Sequence, residues 1–266
     1  MSSPNAAPKG EVLRERIDHV LLVTLNRPER MNSIGGQLLS QLTQTLHDAE
    51  QDRDVRSIVL TGAGRGFCSG LDLQDVSSGS TDVSGTAGGF KIAETPPFVM
   101  RRMDTPILCA LNGAAAGYGM DLALGCDLVI ASDRARFVPP IRRGVVPESG
   151  GTWLLPRLVG WQKACEITLL GRILEASDIE RLGLANRVVP HDELIEETMR
   201  WASEIASNAP LAVAAAKRNL RFGLDSSFEA NAHAVMADLM QLFHTEDFKE
   251  GVMSFLEKRD PEFHGR

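Results

Sequence analysis

Gly113-Ala-Ala-Ala-Gly-Tyr-Gly-Met-Asp121 is the stretch of sequence around which the fold is organised. An apolar run at residues 107–111 precedes it and indicates a buried strand, while residues 122–125 continue at helical spacing. A strand, a glycine-rich turn and a helix N-terminus direct unpaired N–H groups and a positive dipole end at one place. Such a place can bind an anion, or a carbonyl oxygen that becomes negative during reaction. Alternatively, the small residues only allow close packing of helix and strand.

Two more glycine-bearing turns, at residues 62–72 and 145–152, follow strand-like runs. Sites in α/β proteins commonly form where several such loops meet at one edge of the core. The sequence therefore predicts one site built from three turns.

The first part of the chain predicts a hairpin of residues 12–17 and 20–25, and then an amphipathic helix at 35–50. Residues 74–89 are rich in Ser, Gly and Thr, and we expect them to be mobile without ligand, as a lid or a tolerated insertion. Residues 90–104 have a helical composition that Pro96 and Pro97 interrupt, which predicts two short pieces.

Further strands are predicted at residues 127–131, 135–137 and 184–189, with helices at 162–170 and 177–182 between them. From His191 onward strand signals end, and four helices are predicted at residues 191–208, 210–222, 226–243 and 246–259. We therefore expect a flexible tail at 1–10, an α/β core at 11–190 and an all-helical region at 191–266.

Composition excludes several classes of function. The 266 residues carry a net charge of −7 without a basic patch, which argues against nucleic acid as a partner. No apolar run is long enough for a membrane span, and the first nine residues lack the apolar centre of a signal peptide. Four scattered cysteines indicate reduced thiols in a cytoplasmic protein and no metal site.

Three motifs for other chemistry fail or stay weak. Gly62, Gly64 and Gly66 do not have the spacing of a dinucleotide-binding loop, and no P-loop lysine follows them. Cys68 lies at the centre of a Gly-x-x-x-Gly frame, which leaves a cysteine hydrolase open as an alternative.

Four stretches in the right order resemble the crotonase (enoyl-CoA hydratase/isomerase) superfamily over nearly the whole chain. They are Leu25-Asn-Arg-Pro-Glu-Arg-Met-Asn32, Thr61-Gly-Ala-Gly-Arg-Gly-Phe-Cys-Ser-Gly-Leu-Asp-Leu73, Asn112-Gly-Ala-Ala-Ala-Gly-Tyr-Gly119 and Glu250-Gly-Val-Met-Ser-Phe-Leu-Glu-Lys-Arg259. The resemblance implies a core of repeated ββα units in a spiral, and a C-terminal helical region that forms a homotrimer or a hexamer. It also implies a role in fatty acid metabolism.

By the same resemblance, the backbone N–H groups of Leu71 and Tyr118 form an oxyanion hole for the thioester oxygen of an acyl-CoA. The Tyr118 ring is then expected to narrow the acyl pocket. Coenzyme A is part of the substrate in this family, so no separate cofactor is implied.

The carboxylates decide which reaction is expected. Hydratases of the family use two glutamates, and the first position here holds Asp121. The second position falls in Val138-Pro-Pro-Ile141, which has no carboxylate. Enoyl-CoA and dienoyl-CoA isomerases resemble this chain in placing an acid where Glu148 stands, and residues 145–160 resemble the ring-opening isomerase of phenylacetyl-CoA degradation.

We therefore expect an enzyme that moves a double bond in an enoyl-CoA, with Glu148 as the base and Asp121 as a second catalytic candidate. One carboxylate in an apolar pocket with a raised pKa suffices for this proton transfer. Each acid could instead only stabilise the first turn of its helix. A hydratase using both acids and a non-catalytic acyl-CoA-binding homologue are the alternatives.

The resemblance also implies a set of residues in contact with coenzyme A. Arg27 and Arg30 are expected near its phosphates, while Phe255 and Lys258 are expected to reach a coenzyme A that often belongs to a neighbouring subunit. The remaining members of the implied set are Met31, Ser69, Gly70, Asp72 and Gly117.

Overall fold

The computed structural model describes residues 10–72 and 94–266. The predictions made for the N-terminal tail before Gly10 and for residues 74–89 lie outside this range. The strands are β1 (Val12–Ile17), β2 (Val20–Leu25), β3 (Ser57–Gly62), β4 (Gly66–Cys68), β5 (Ile107–Leu111), β6 (Ala114–Ala116), β7 (Leu128–Ser132), β8 (Arg136–Val138), β9 (Leu174–Glu175) and β10 (Arg187–Val189).

The helices are α1 (Leu38–Gln51), α2 (Pro96–Arg102), α3 (Tyr118–Leu124), α4 (Gly151–Val159), α5 (Trp161–Leu170), α6 (Ala176–Arg181), α7 (Leu194–Ala206), α8 (Pro210–Gly223), α9 (Phe228–Leu242) and α10 (Glu246–Glu257). Helix α2 begins at the proline pair that was predicted to interrupt it, because proline is tolerated in a first helical turn. No helix in the described part of the chain is long and apolar enough to span a membrane.

A sheet of six strands in the order β1-β2-β3-β5-β7-β10 forms the larger layer. Strands β1 and β2 are the predicted antiparallel hairpin, in which Ile17 pairs with Val20 across a turn where Asp18 has φ of 52°. The remaining neighbours are parallel. Strands buried on both faces consist of nearly continuous apolar residues, and this is why β3 and β5 were visible in the sequence.

A second sheet, in the order β4-β6-β8-β9, explains where the sequence-based prediction was wrong. Residues 66–68 and 114–116 were expected to be parts of glycine-rich turns, but they are the short strands β4 and β6. Each strand of this sheet up to β8 follows a strand of the larger sheet, so β3-β4, β5-β6 and β7-β8 repeat one unit before a helix. This is the repeated ββα core that the resemblance implied.

Two glycines at the start of α3 allow that helix to approach β4 closely. A methyl group on Gly119 would overlap the carbonyl oxygen of Cys68, and Gly117 has φ of 51°, which favours glycine. The small residues of the Gly113–Asp121 stretch therefore do allow close packing of helix and strand. The same stretch also presents a helix N-terminus, so the two interpretations are compatible.

Apolar side chains cover both faces of the large sheet. On one face α1 buries Leu38, Leu42 and Leu46. On the other face, α7 packs Leu194 and Ala202 against the strands. The C-terminal helices α7–α10 follow the last strand, as predicted.

Candidate active site

A pocket of about 410 Å³ opens where the loops after β2, β4, β6 and β8 meet. The predicted site residues that line it are Arg30, Met31, Ser69, Gly70, Leu71, Asp72, Gly117, Tyr118 and Glu148. Residues from all three predicted turns therefore contribute to one pocket. The third turn, at 145–152, follows a 3-10 helix (Pro140–Arg143) and does not follow a strand directly as expected.

The backbone N–H of Leu71 is available to a ligand because of how its segment pairs. Leu71 forms an isolated parallel bridge with Ile34. The bonds of this bridge run from Ile34 N to the Gly70 carbonyl at 2.7 Å and from Asp72 N to the Ile34 carbonyl at 3.0 Å. Both bonds use the residues on either side of Leu71, so its own N–H is left for the opposite side.

The backbone N–H of Tyr118 is available because Tyr118 is the first residue of α3. N–H groups in a first helical turn have no acceptor inside the helix. A methyl group on Gly70 would lie 3.6 Å from this nitrogen, which shows how closely the Leu71 turn approaches it. The Tyr118 side chain is buried at the edge of the pocket.

Two asparagines outside the set of predicted site residues hold the loop before β4 in place. The Asn32 side-chain amide donates to the carbonyl of Ala63 at 3.0 Å and to that of Gly66 at 2.9 Å. Asn112 donates to the carbonyl of Gly64 at 3.0 Å and accepts from Gly62 N at 3.3 Å. In the sequence, the only feature that could have identified these asparagines is their position directly after a strand or a turn.

Glu148 is the carboxylate that the third turn brings to the pocket. Partial burial raises the pKa of its carboxyl group, and its own backbone N–H opposes that rise. A carboxylate with a raised pKa is a stronger base than an ordinary surface glutamate, so this environment suits proton abstraction.

Asp121 is fully buried and is not among the residues that line the pocket. Its Oδ2 accepts the backbone N–H of Ser149 at 2.9 Å, and its carboxylate also accepts the N–H of Gly151. The pKa of Asp121 is raised to about 6. Burial is the largest cause and repulsion from Glu148 adds to it, while these two hydrogen bonds partly oppose the rise. Asp121 therefore fixes the backbone beside Glu148.

The two arginines expected near the coenzyme A phosphates lie in different environments. Arg27 does not line the pocket; it donates to the Ser33 carbonyl at 2.8 Å and forms ion pairs with Glu11 and Asp72. Arg30 lines the pocket and is 41% exposed, so it is accessible to a ligand from solvent.

Phe255 and Lys258 do not line this pocket. They lie at the end of α10, where the Phe255 side chain is exposed to solvent. Within one chain the structure does not bring them to the other predicted site residues.

Other lining residues were not selected from the sequence. They are Glu29, Ser33, Pro140, Arg143 and Val145. The segment at 138–141, predicted to lack the second hydratase carboxylate, contributes Pro140. Of the three acidic residues that line the pocket, Asp72 accepts a bond from Ser33 Oγ at 2.9 Å and Glu29 lies beside Arg30 on a surface 3-10 helix.

Cys68, the nucleophile of the alternative hydrolase, is fully buried and is not a lining residue of the pocket. Burial raises the pKa of its thiol to about 12, so the reactive thiolate is strongly disfavoured.

Comparison with known proteins identifies the protein family. A family model described as enoyl-CoA hydratase/isomerase matches residues 15–266. The 1,2-epoxyphenylacetyl-CoA isomerase of Escherichia coli strain K12 is 37% identical over 255 residues, 93% of this chain and 95% of that protein. The 2,3-dehydroadipyl-CoA hydratase of the same strain is 38% identical over 264 residues, 96% of this chain and 99% of that protein.

The solved structures agree with this class. An enoyl-CoA hydratase from Bacillus anthracis matches with a TM-score of 0.90 at 30% identity, over 97% of this chain and 100% of that one. The chain belongs to the enoyl-CoA hydratase/isomerase family and has the crotonase fold. It is an acyl-CoA enzyme of that family.

Proposed function

We propose that this enzyme is an enoyl-CoA isomerase, which moves a double bond along the acyl chain of a coenzyme A thioester. The observation that carries the proposal is the position of Glu148, whose carboxyl pKa is raised, in one pocket with Leu71 and Tyr118. Coenzyme A is part of the substrate, and the proposed mechanism uses no other cofactor.

In the proposed reaction, the thioester oxygen accepts hydrogen bonds from the N–H groups of Leu71 and Tyr118. The Glu148 carboxylate removes a proton from the carbon next to the thioester carbonyl, and the electron pair moves onto that oxygen as an enolate. When the enolate collapses, the same carboxyl group returns its proton to a carbon farther along the chain. No atom is gained or lost, and one double bond has moved. One such backbone donor typically contributes about 3 kcal/mol to barrier lowering.

Hydration is the second candidate function, and it has its own support. The 2,3-dehydroadipyl-CoA hydratase is as similar to this chain as the isomerase is. Adding water needs one group to activate it and another to protonate the α-carbon. The pocket offers Pro140 on the wall where hydratases would place their second acid, and Asp121 is occupied with the loop backbone. Both features favour the isomerase.

The test is Glu148→Gln, which keeps the size of the side chain and removes the base. We expect isomerisation of 3-enoyl-CoA to fall by about 10²- to 10⁴-fold, the usual range for a lost general base. Affinity for a saturated acyl-CoA should stay the same. The matched control is Glu193→Gln, at an exposed position outside the pocket, which should keep full turnover. Unchanged turnover in the Glu148 variant would contradict the proposal.

Isotope incorporation separates the alternatives. Crotonyl-CoA in heavy-oxygen water gives a labelled 3-hydroxy product with a hydratase and none with an isomerase. A binding homologue without activity would exchange no substrate protons with deuterated water.

A further inference from the structure

A second concavity of about 440 Å³ adjoins the active-site pocket. Arg143 lines both of them, so the two cavities meet at this residue. Arg142 and Arg172 also line the second cavity, together with apolar surface from Val138 and Ile173. Three guanidinium groups at one concavity make it strongly positive.

The carboxylates nearest to Arg172 in sequence already have other partners. Glu166 binds Lys163, and Glu175 accepts a bond from Arg136 Nε at 2.8 Å. Asp178 accepts a bond from Arg181 at 2.8 Å. In the part of the chain that the structure describes, no carboxylate lies within ion-pair distance of any of the three arginines of the second cavity.

One of the three arginines has a structural explanation. A methyl group on Gly171, which caps the C-terminus of α5, would lie 3.6 Å from Nε of Arg142. A cation beside a helix C-terminus interacts favourably with the helix dipole. Arg172 lies near enough to Glu166 to lower the pKa of that carboxyl group, and Arg143 ends a 3-10 helix, but neither arginine forms an ion pair in the described part of the chain.

The order of the loops around the active-site pocket shows which part of a ligand Arg143 would meet. Ser69 N donates to the Met31 carbonyl at 3.0 Å, so the Leu71 turn adjoins the loop at 28–33. On the far side Gly117 N donates to the Val138 carbonyl at 3.1 Å, and a methyl group on Gly117 would lie 3.5 Å from Cβ of Pro140. The oxyanion donors therefore lie between the loop expected to hold coenzyme A and the wall that carries Arg143.

We propose that Arg143, assisted by Arg172, binds a carboxylate at the distal end of the acyl chain, so that the preferred substrates are coenzyme A thioesters of dicarboxylic acids. The inference rests on the proposed function for the orientation of the thioester. Guanidinium groups suit this task because they stay charged and form paired hydrogen bonds with carboxylates.

The environment of Glu148 supports this assignment. Burial and a backbone bond determine the pKa of Glu148, and no arginine is among the causes of its shift. Arg143 and Glu148 line one pocket, and no ion pair joins them in the described part of the chain.

The test compares two saturated thioesters of equal chain length, hexanoyl-CoA and adipyl-CoA, which differ by one terminal carboxylate. Calorimetric titration of the native enzyme should give at least about tenfold tighter binding of adipyl-CoA, which one charge-assisted hydrogen bond can supply. Arg143→Gln should remove this preference and leave the affinity for hexanoyl-CoA unchanged. Arg134→Gln, at an exposed arginine outside both cavities, is the matched control and should keep the preference.

Two results would overturn the proposal. The first is equal affinity of the unaltered enzyme for both thioesters. The second is that Arg143→Gln weakens the binding of both thioesters equally, which would assign the arginines to the phosphates of coenzyme A. In that case dephospho-CoA would bind the unaltered enzyme more weakly than coenzyme A does. Because neither thioester has a double bond, the outcome does not depend on isomerase activity. Glu148→Gln should therefore keep the preference even if the isomerase proposal fails.

Discussion

Asp121 and Glu148 show how two nearby acids acquire different roles from their surroundings. The Asp121 carboxylate is enclosed and accepts the N–H groups of Ser149 and Gly151. Glu148 stands one residue before Ser149 and faces the pocket. We infer that Asp121 positions the base through the backbone and that Glu148 carries the proton.

The buried state of Asp121 predicts how stability depends on pH. Its pKa rises from 3.8 to about 6 on folding, so its contribution to stability is complete below pH 3.8 and is lost as the pH rises through about 6. Asp121→Asn has no proton to lose. From pH 4.5 to pH 7.5 the unaltered enzyme should lose about 2 kcal/mol of unfolding free energy relative to this variant, at about 1.4 kcal/mol per pKa unit.

Denaturant unfolding of both proteins at the two pH values measures this difference. Introducing Glu148→Gln first should reduce the difference, because repulsion from Glu148 is one of the causes of the raised pKa. A difference that is constant across pH would show that Asp121 is ionised as easily in the folded state as in the unfolded one.

Among individual residues, the sequence predicted those pocket residues that belong to a recognisable motif. Leu71, Tyr118 and Glu148 lie next to or within glycine motifs that can be recognised in the chain, and all three line the pocket. Arg143 and the positioning role of Asn32 could not be predicted, because they depend on which loops become neighbours in the folded chain. The same reason explains Arg27, whose partners Glu11 and Asp72 are distant in sequence.

Among the strands, length decides which ones could be predicted from the sequence. Strands β2, β3 and β5 have five or six residues and a clear apolar pattern. Strands β4 and β6 have three residues each, and β9 has two. The three alanines of β6 have little preference for a strand, and in β4 only Phe67 favours one, so pairing between β4 and β6 is what keeps both extended.

The contact between α3 and β4 gives a prediction for this element pair. Gly119→Ala should place its methyl group against Cys68, push α3 away and shift the Tyr118 N–H. We expect a loss of about 1–3 kcal/mol of stability from overpacking. Turnover should fall by up to about 10²- to 10³-fold, as for a lost oxyanion donor. Thermal unfolding and kcat measure the two effects.

Gly251→Ala is the matched control, because Gly251 also lies in a helix but its added methyl group would make only an ordinary contact, with Phe263 at 3.7 Å. This variant should gain up to about 1 kcal/mol from helix propensity and keep its turnover. If Gly119→Ala behaved like the control, the close approach of α3 to β4 would not matter for the oxyanion donors.

For the whole molecule, the main unexplained feature is the apolar surface of the C-terminal helices. Phe228 is 82% exposed and Phe255 is 83% exposed in a single chain, and Met236 and Leu256 on the same two helices are exposed as well. Extended apolar surface on a folded chain indicates contact with another protein surface. We propose that residues 191–266 form an oligomerisation region and that the enzyme is a homotrimer or a dimer of trimers.

Sedimentation should then give three or six times the mass of one chain. Phe228→Glu should weaken the assembly, because burying one large apolar side chain contributes about 1.5–3 kcal/mol and a buried charge opposes it. Glu229→Gln is the control at the adjacent exposed position and should leave the mass unchanged. A monomer of the unaltered chain at micromolar concentration would contradict the proposed assembly.

The assembly also bears on Lys258, which does not line the pocket of its own chain. If Lys258 reaches the coenzyme A of a neighbouring subunit, Lys258→Ala should raise KM about tenfold, as for one lost charge-assisted hydrogen bond, and leave kcat unchanged. Mixed oligomers of Lys258→Ala chains and Glu148→Gln chains provide the decisive measurement. In such an oligomer, a Lys258→Ala chain supplies the base while its Glu148→Gln neighbour supplies the lysine, so part of the activity should return at the original KM. If each lysine served its own chain, the original KM would not return on mixing, because no subunit would have both groups.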